Sequence, residues 1–312
     1  RDQCSWVHMR LPAEATDKAK DLVRMAVGRA VESRPLHGQP LPVTHSALVI
    51  GGGITGMAAA RNLAGQGYDV ALVEREAELG GNARHLRRTL RTAEVGPVLE
   101  EMIAAVEGDP RITVFRNAAV RQIDGFVGNF QWVIAQAANG HGPSETTIQH
   151  GVVIVATGAE ERRTEQYLYG REARVVTQRE LEEALADNRF VPPERGTVVM
   201  IQCVESRTPE HPYCSRVCCS QALKNAITLK ERYPEANVVI LYRDVRSYGL
   251  REVFYQRARD LGVLFVRYDL EPDAEGRGGL PRVEQRDGRL VITAFDPVLG
   301  EEVTFDADTL AL

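Results

Sequence analysis

SALVIGGGITGMAAARNLAGQGYDVALVERE, residues 46–76, reads as strand, glycine turn, helix, turn and strand. A short apolar run is followed at once by Gly51, Gly53 and Gly56, spaced G-x-G-x-x-G. The first glycine of such a turn makes the tight bend. The second lets a pyrophosphate approach the backbone, and the third lets helix pack on strand. Ile54 and Thr55 stand at the helix start, where free amides attract phosphate. Glu74, followed by Arg75, ends the second strand about twenty residues on, where a carboxylate accepts ribose hydroxyls. A glycine triplet alone could be a structural turn. Here it follows a strand, opens a helix and is answered by an acid, which points to dinucleotide binding.

Downstream, Leu79-Gly80-Gly81-Asn82 offers either a second close backbone approach to a ligand or a plain turn. Arg84, Arg87 and Arg88 form a positive run that suits phosphate or a solvated face equally. Pro97 introduces a helix over 98–106 with Leu99, Met102, Ile103 and Val106 inward. A strand at 112–115 precedes a β-branched and aromatic stretch, 120–136, that reads as a hairpin around Gly125 and Gly128. Residues 152–156 form a buried strand ending in Thr157-Gly158, where glycine admits a ligand or another strand. Upstream, a helix over 13–33 leads to a linker marked by Pro35, Pro40 and Pro42.

A second strand–helix alternation starts at 198–201. It continues through a helix at 215–232, a strand at 238–242, a helix at 250–261 and a strand at 263–266, so a second parallel sheet is expected. Its first strand-to-helix turn has no glycine. It holds instead Cys203, Cys214, Cys218 and Cys219, spaced C-x10-C-x3-C-C. Cys214 and Cys218, four apart, are expected on one helix face, with Cys219 about 100° further round. Thiols converging from a strand end and a helix start suit a metal centre, and helix N-terminal amides favour the thiolate. The spacing fits none of the usual zinc patterns, and no C-x-x-C pair occurs. On the residues alone an iron–sulfur cluster, buried structural thiols, and zinc or redox chemistry stay open. Cys4, remote in sequence, reads as a lone buried or unpaired thiol.

The 312 residues are 44% hydrophobic and 26% charged, with net charge −5 and a pI near 5.9. This profile allows two domains and disfavours nucleic acid or anionic membranes as partners. The apolar runs are of strand length, so no membrane span is expected. Five cysteines do not make a secreted disulfide scaffold, and clustered thiols suggest a reducing cytosol. Residue 1 is Arg, no signal peptide is visible, and residues 305–312 stop inside an apparent strand; a fragment of a longer chain is expected.

Two nucleotide-type units, the second inserted in the first, resemble the flavin disulfide reductases of thioredoxin reductase type, in which FAD occupies the first and NADPH the second. The absent C-x-x-C pair and the missing second glycines depart from that pattern. More specific are Arg1-Asp2-Gln3-Cys4-Ser5-Trp6-Val7-His8, residues 47–56, Val155-Ala156-Thr157-Gly158, Ile201-Gln202-Cys203-Val204, Pro212-Tyr213-Cys214-Ser215-Arg216-Val217-Cys218-Cys219-Ser220-Gln221 and Leu241-Tyr242-Arg243-Asp244. These resemble the A subunit of heterodisulfide reductase over essentially the whole chain. The resemblance implies a cytoplasmic oxidoreductase subunit with FAD and a [4Fe-4S] cluster. It would pass electrons inside a larger complex, whose flavin splits electron pairs in the best-studied setting. Implied partners are the other subunits and ferredoxin or hydrogenase- or dehydrogenase-type donors. Cys203, Cys214, Cys218 and Cys219 would hold the cluster, and Cys4 would ligate a separate N-terminal one. Lys224, about 140° round the helix from Cys219, would reach the flavin or else lie solvated. The expected α/β organisation is an N-terminal helical extension and linker (1–45), an FAD-binding Rossmann-like domain (46–160), a connection (161–196), an inserted degenerate nucleotide-binding-like domain carrying the cluster (197–275) and a return to the FAD domain (276–312). An NAD(P)H-linked flavin reductase and a non-catalytic scaffold are the rival readings.

Overall fold

A computed structural model describes residues 2–35, 38, 40–91, 93–137 and 144–312; Arg1 lies outside them. The chain divides into two compact units, one running up to Val43 and the other Thr44–Leu312. The first holds α1 (Pro12–Glu32), which Pro12 opens with its preset φ; Ala15 is its one buried residue.

The second unit begins with β1 (Ser46–Ile50), α2 (Ile54–Gly65), β2 (Asp69–Val73), α3 (Gly96–Glu107) and β3 (Ile112–Phe115). There follow β4 (Ala118–Phe126), β5 (Asn129–Gln136), β6 (Ser144–His150) and β7 (Val152–Val155). The first sheet has order β3-β2-β1-β7 and is parallel throughout. Ala47, Leu48 and Val49 of β1 are buried because both faces of the sheet are covered, which is why the strand is apolar without alternation. On one face Met57 and Ala60 of α2 and Val106 of α3 pack against Val49 and Leu72. On the other, Trp132 and Ile134 of the antiparallel meander β4-β5-β6 cover Leu48 and Val73.

The second half repeats this plan. Its elements are β8 (Val175–Val176), α4 (Gln178–Ala186), β9 (Thr197–Ile201), α5 (Cys218–Arg232), β10 (Asn237–Tyr242), α6 (Glu252–Asp260), β11 (Leu264–Arg267), β12 (Arg282–Arg286), β13 (Arg289–Asp296), β14 (Glu301–Ala307) and β15 (Thr309–Ala311). The parallel sheet has order β11-β10-β9-β15-β8. Helices α4, α5 and α6 cover one face and the meander β12-β13-β14 the other. Among the described residues no helix is long and apolar enough to cross a membrane.

Three expectations change. Residues 276–312 do not rejoin the first sheet: β15 lies between β9 and β8, and Leu290, Ile292, Ala307 and Leu310 pack with Val199, Ile201, Val239 and Leu241. Residues 161–196 are more than a connection, since β8 and α4 belong to the second half. The cysteine helix starts at Cys218 rather than 215, so Cys214 lies in the loop before it. Arg216, at φ +61, turns the chain left-handed and blocks an earlier start.

Candidate functional site

The glycine turn shows three different surroundings. A Cβ on Gly51, at φ +105, would meet the Ala156 carbonyl oxygen at 2.3 Å, and one on Gly56 would meet the Gly51 oxygen at 1.8 Å. A Cβ on Gly53, by contrast, would meet no described atom within 4 Å. The outer glycines therefore pack turn, helix and β7 together, while the middle one borders open space where a ligand can approach. Ile54 and Thr55 are exposed at the start of α2, which no described side chain caps, so its first amides face that space. Gly80 bridges to Gly53, its amide donating to the Gly52 oxygen at 2.8 Å, and Gly81 lies against the Gly53 backbone. The second glycine pair thus extends the same backbone surface. Asn82 ties it to Ala159 by a 2.6 Å bond from Nδ2. Thr157 and Gly158 are exposed at the end of β7, and Gly158 also has open space around it.

Glu74 is buried, and its Oε2 accepts from the Gly52 amide at 2.6 Å while Oε1 accepts from the Glu76 amide at 2.9 Å. Each oxygen keeps acceptor capacity for a further partner. Arg75 is bound to Glu160 and Glu76 at the surface. Arg84, Arg87 and Arg88 each have an acidic partner, Glu78, Asp187 and Glu94.

The thiols gather where β9 runs into α5. Cys203 is the second residue beyond the strand, Cys214 lies in the loop, and Cys218 and Cys219 form the first turn of the helix. All are free of disulfides; Cys219 is buried and the other three are half-buried. The loop is strained: Cys203, Glu205, Arg207 and Arg216 all have φ between +47° and +62°. Non-glycine residues hold such angles only where surroundings enforce them, a feature of functional sites. The thiols act on one another. Burial raises the Cys203 pKa, with Cys218 adding to the rise and the Arg207 guanidinium opposing it. The contact between Cys218 and Cys219 raises the Cys218 pKa and lowers that of Cys219, whose thiol donates to the Asp244 carbonyl at 3.5 Å. The Arg216 amide donates to Cys214 Sγ at 3.3 Å. Among the described residues no three His, Cys, Asp or Glu side chains are grouped to hold a metal ion, which gives no support to a mononuclear zinc site. A four-iron cluster seats its thiolates at the corners of a cube, farther apart than ligands around one ion. Four thiols free of disulfides at one strand-to-helix turn match that donor set in number and kind. Cys4 belongs to the other unit.

Lys224 lies on α5 and lines a groove of about 320 Å³ between α4–α5 and the segment of residues 83–99. It is not solvated: Nζ donates to Glu182 Oε2 at 2.6 Å and to the Arg88 carbonyl at 2.9 Å. Glu182 is buried, and its Oε1 accepts from the Arg87 amide at 2.9 Å. Glu182 was not legible as a site residue, and neither were Gln202 and Arg207 beside the thiols. The partners of Glu182 and the unpaired atoms of Gln202 and Arg207 are set by tertiary surroundings, which the sequence does not signal.

Residues 49–99 match the model of an NAD(P)-binding Rossmann-like domain. Two curated relatives span all of this chain. A CoB–CoM heterodisulfide reductase iron-sulfur A subunit from Methanopyrus kandleri, the second of that organism's two, is 32% identical, with 60% of its length matched. The A subunit of the H2:CoB-CoM heterodisulfide, ferredoxin reductase from Methanothermobacter marburgensis is 30% identical, with 59% matched. The chain is a homologue of the heterodisulfide reductase A-subunit family over its whole length. It spans about three fifths of the length of these A-subunit relatives. Its fold is that of the thioredoxin reductases. The Thermoplasma acidophilum enzyme superposes with a TM-score of 0.52 at 16% identity, over 85% of this chain and 75% of that one. The Lactococcus lactis enzyme gives 0.51 at 18%, over 86% and 77%. The A-subunit homology covers the glycine turn and the cysteine loop alike.

Proposed function

We propose that this chain is the core of an FAD- and iron–sulfur-dependent electron-transfer subunit of a heterodisulfide-reductase-like complex. One observation carries the reading. Two halves of the same architecture keep glycines at the first strand-to-helix turn and replace them with four cysteines at the second. One half is thus fitted for a dinucleotide and the other for thiolate ligation. The flavin supplies exchange between two-electron and one-electron carriers, and the cluster supplies one-electron relay.

The chain's own residues would act as follows. Gly51, Gly53, Gly56, Gly80 and Gly81 present backbone to the pyrophosphate, with Ile54 and Thr55 at the helix start. Glu74 accepts from the ribose, Arg75 flanks it, and Asn82, Thr157 and Gly158 border the same opening. Cys203, Cys214, Cys218 and Cys219 hold the [4Fe-4S] cluster. Lys224, held by Glu182, would be the α5 side chain that approaches the flavin. Cys4 ligates a second, N-terminal cluster completed from elsewhere. The partners are other subunits of the complex and ferredoxin or hydrogenase- or dehydrogenase-type donors in the cytoplasm.

The match to an NAD(P)-binding model favours a second reading, direct reduction by NAD(P)H. Anaerobic titration of the isolated full-length protein separates the two. Reduced methyl viologen is expected to bleach the flavin while NADH leaves it oxidised. Stoichiometric bleaching by NADH would overturn the relay reading.

A further inference from the structure

Two polar side chains beside the thiols keep buried N–H groups with no partner among the described residues, although burial should have forced them to find one. Gln202 is 3% exposed, and both polar atoms of its side-chain amide are unpaired. Its backbone is fixed from both sides: the amide donates to the Leu241 carbonyl at 2.9 Å, and the carbonyl accepts from the Tyr268 hydroxyl. Gln202 lines a cavity of about 10 Å³ together with Cys219, Leu223, Ile240 and Phe265. Arg207 is the second case. Its Nη2 is paired with Asp244 at 2.7 Å, and the guanidinium lies against the Cys203 thiol, yet buried Nη1 is unpaired. Arg243 donates to the Ser206 and Arg207 carbonyls at 3.2 and 3.0 Å and so holds Arg207 in its left-handed conformation.

A buried donor without an acceptor costs about 1–3 kcal/mol. A buried thiolate is the complementary object: it carries excess electron density and has no proton to give. The two orphaned groups flank Cys219 and Cys203. We propose that Gln202 and Arg207 are positioning residues whose idle N–H groups donate to the ligand sulfurs of Cys219 and Cys203 and thereby set the reduction potential of the cluster. This rests on the cluster reading above. Reduction adds negative charge to the cluster and its sulfurs, so donors aimed at those sulfurs favour the reduced state. Removing a donor moves the potential to a more negative value.

The test is an electron-paramagnetic-resonance redox titration of the full-length protein, purified anaerobically, beside Gln202→Leu, Arg207→Gln and Arg207→Lys. Gln202→Met repeats the first if leucine disrupts the fold. The expected result is unchanged iron and sulfide per chain with a more negative midpoint in Gln202→Leu and Arg207→Gln. Arg207→Lys, which keeps the charge, should move less. Apoprotein unfolding gives a second readout. Gln202→Leu should unfold at no lower temperature than wild type, because it removes two unpaired buried atoms. Retained iron with unmoved midpoints would overturn the proposal, as a single water in the cavity would then be satisfying Gln202. Wild-type protein without iron would overturn the cluster reading itself, and this inference with it.

Discussion

Gly53 and Gly56 lie three residues apart and answer opposite demands. A Cβ on Gly56 collides with the Gly51 carbonyl, whereas one on Gly53 meets nothing within 4 Å, and its φ of −74° suits any residue. Gly56→Ala is expected to destabilise the protein by at least about 2 kcal/mol through overpacking, read as a lowered melting temperature. Gly53→Ala should change the unfolding of the flavin-free chain by under about 1 kcal/mol while lowering the FAD retained on purification. Full FAD in Gly53→Ala would show that the ligand approaches elsewhere. A pH dependence belongs at this scale too. Glu172 accepts bonds from Arg174 Nε at 3.0 Å, Nη2 at 2.9 Å and the amide at 3.2 Å, which hold its carboxyl down at about 2. A depressed folded-state pKa contributes stability that is complete above the ordinary value of 4.5 and is lost as pH falls towards 2. Glu172→Gln should therefore flatten the loss of stability across that window; unfolding curves at pH 5 and pH 3 check it, and an unaltered acid slope contradicts it. Glycine and cysteine stood out as candidates because their chemistry follows from residue type. The orphaned amide of Gln202 did not, because being unpaired is a property of tertiary surroundings.

Among the elements, α4 and α5 show where periodicity informs and where it misleads. Helix α4 opens with a capping box. Thr177 Oγ1 accepts from the Glu180 amide at 3.2 Å, and Glu180 Oε2 accepts from the Thr177 amide at 2.8 Å. Thr177→Ala should cost about 1 kcal/mol in urea unfolding, and no change would mean the box is redundant. The body of α5 was legible from the strand–helix alternation, and its Ala222, Leu223, Ala226 and Ile227 are buried against the second sheet. Its start was not. An i, i+4 cysteine pair satisfies helical spacing whether or not the backbone between is helical, and the left-handed Arg216 is invisible in sequence. The helix fixed Lys224 about 140° round from Cys219, but its place on the groove wall and its clamp by Glu182 needed α4 to be in place.

The whole of the second unit is a duplicated plan: a parallel sheet, helices on one face, a meander on the other. The strand–turn–helix order made both sheets legible, since parallel strands demand crossover helices. The destination of the last strands was not legible. Alternating apolar residues at 283–312 announce β-structure, but the choice of sheet is made by the gap between β9 and β8 that β15 fills. With that strand in place, the second half is a complete sheet whose leading turn carries thiols where the first carries glycines. The most direct measurement is iron, sulfide and extracted flavin per chain in anaerobically purified full-length protein, beside a Cys218→Ala, Cys219→Ala double variant. The account predicts loss of about four irons with FAD retained. Iron unchanged in the variant would contradict it and leave these cysteines as structural thiols.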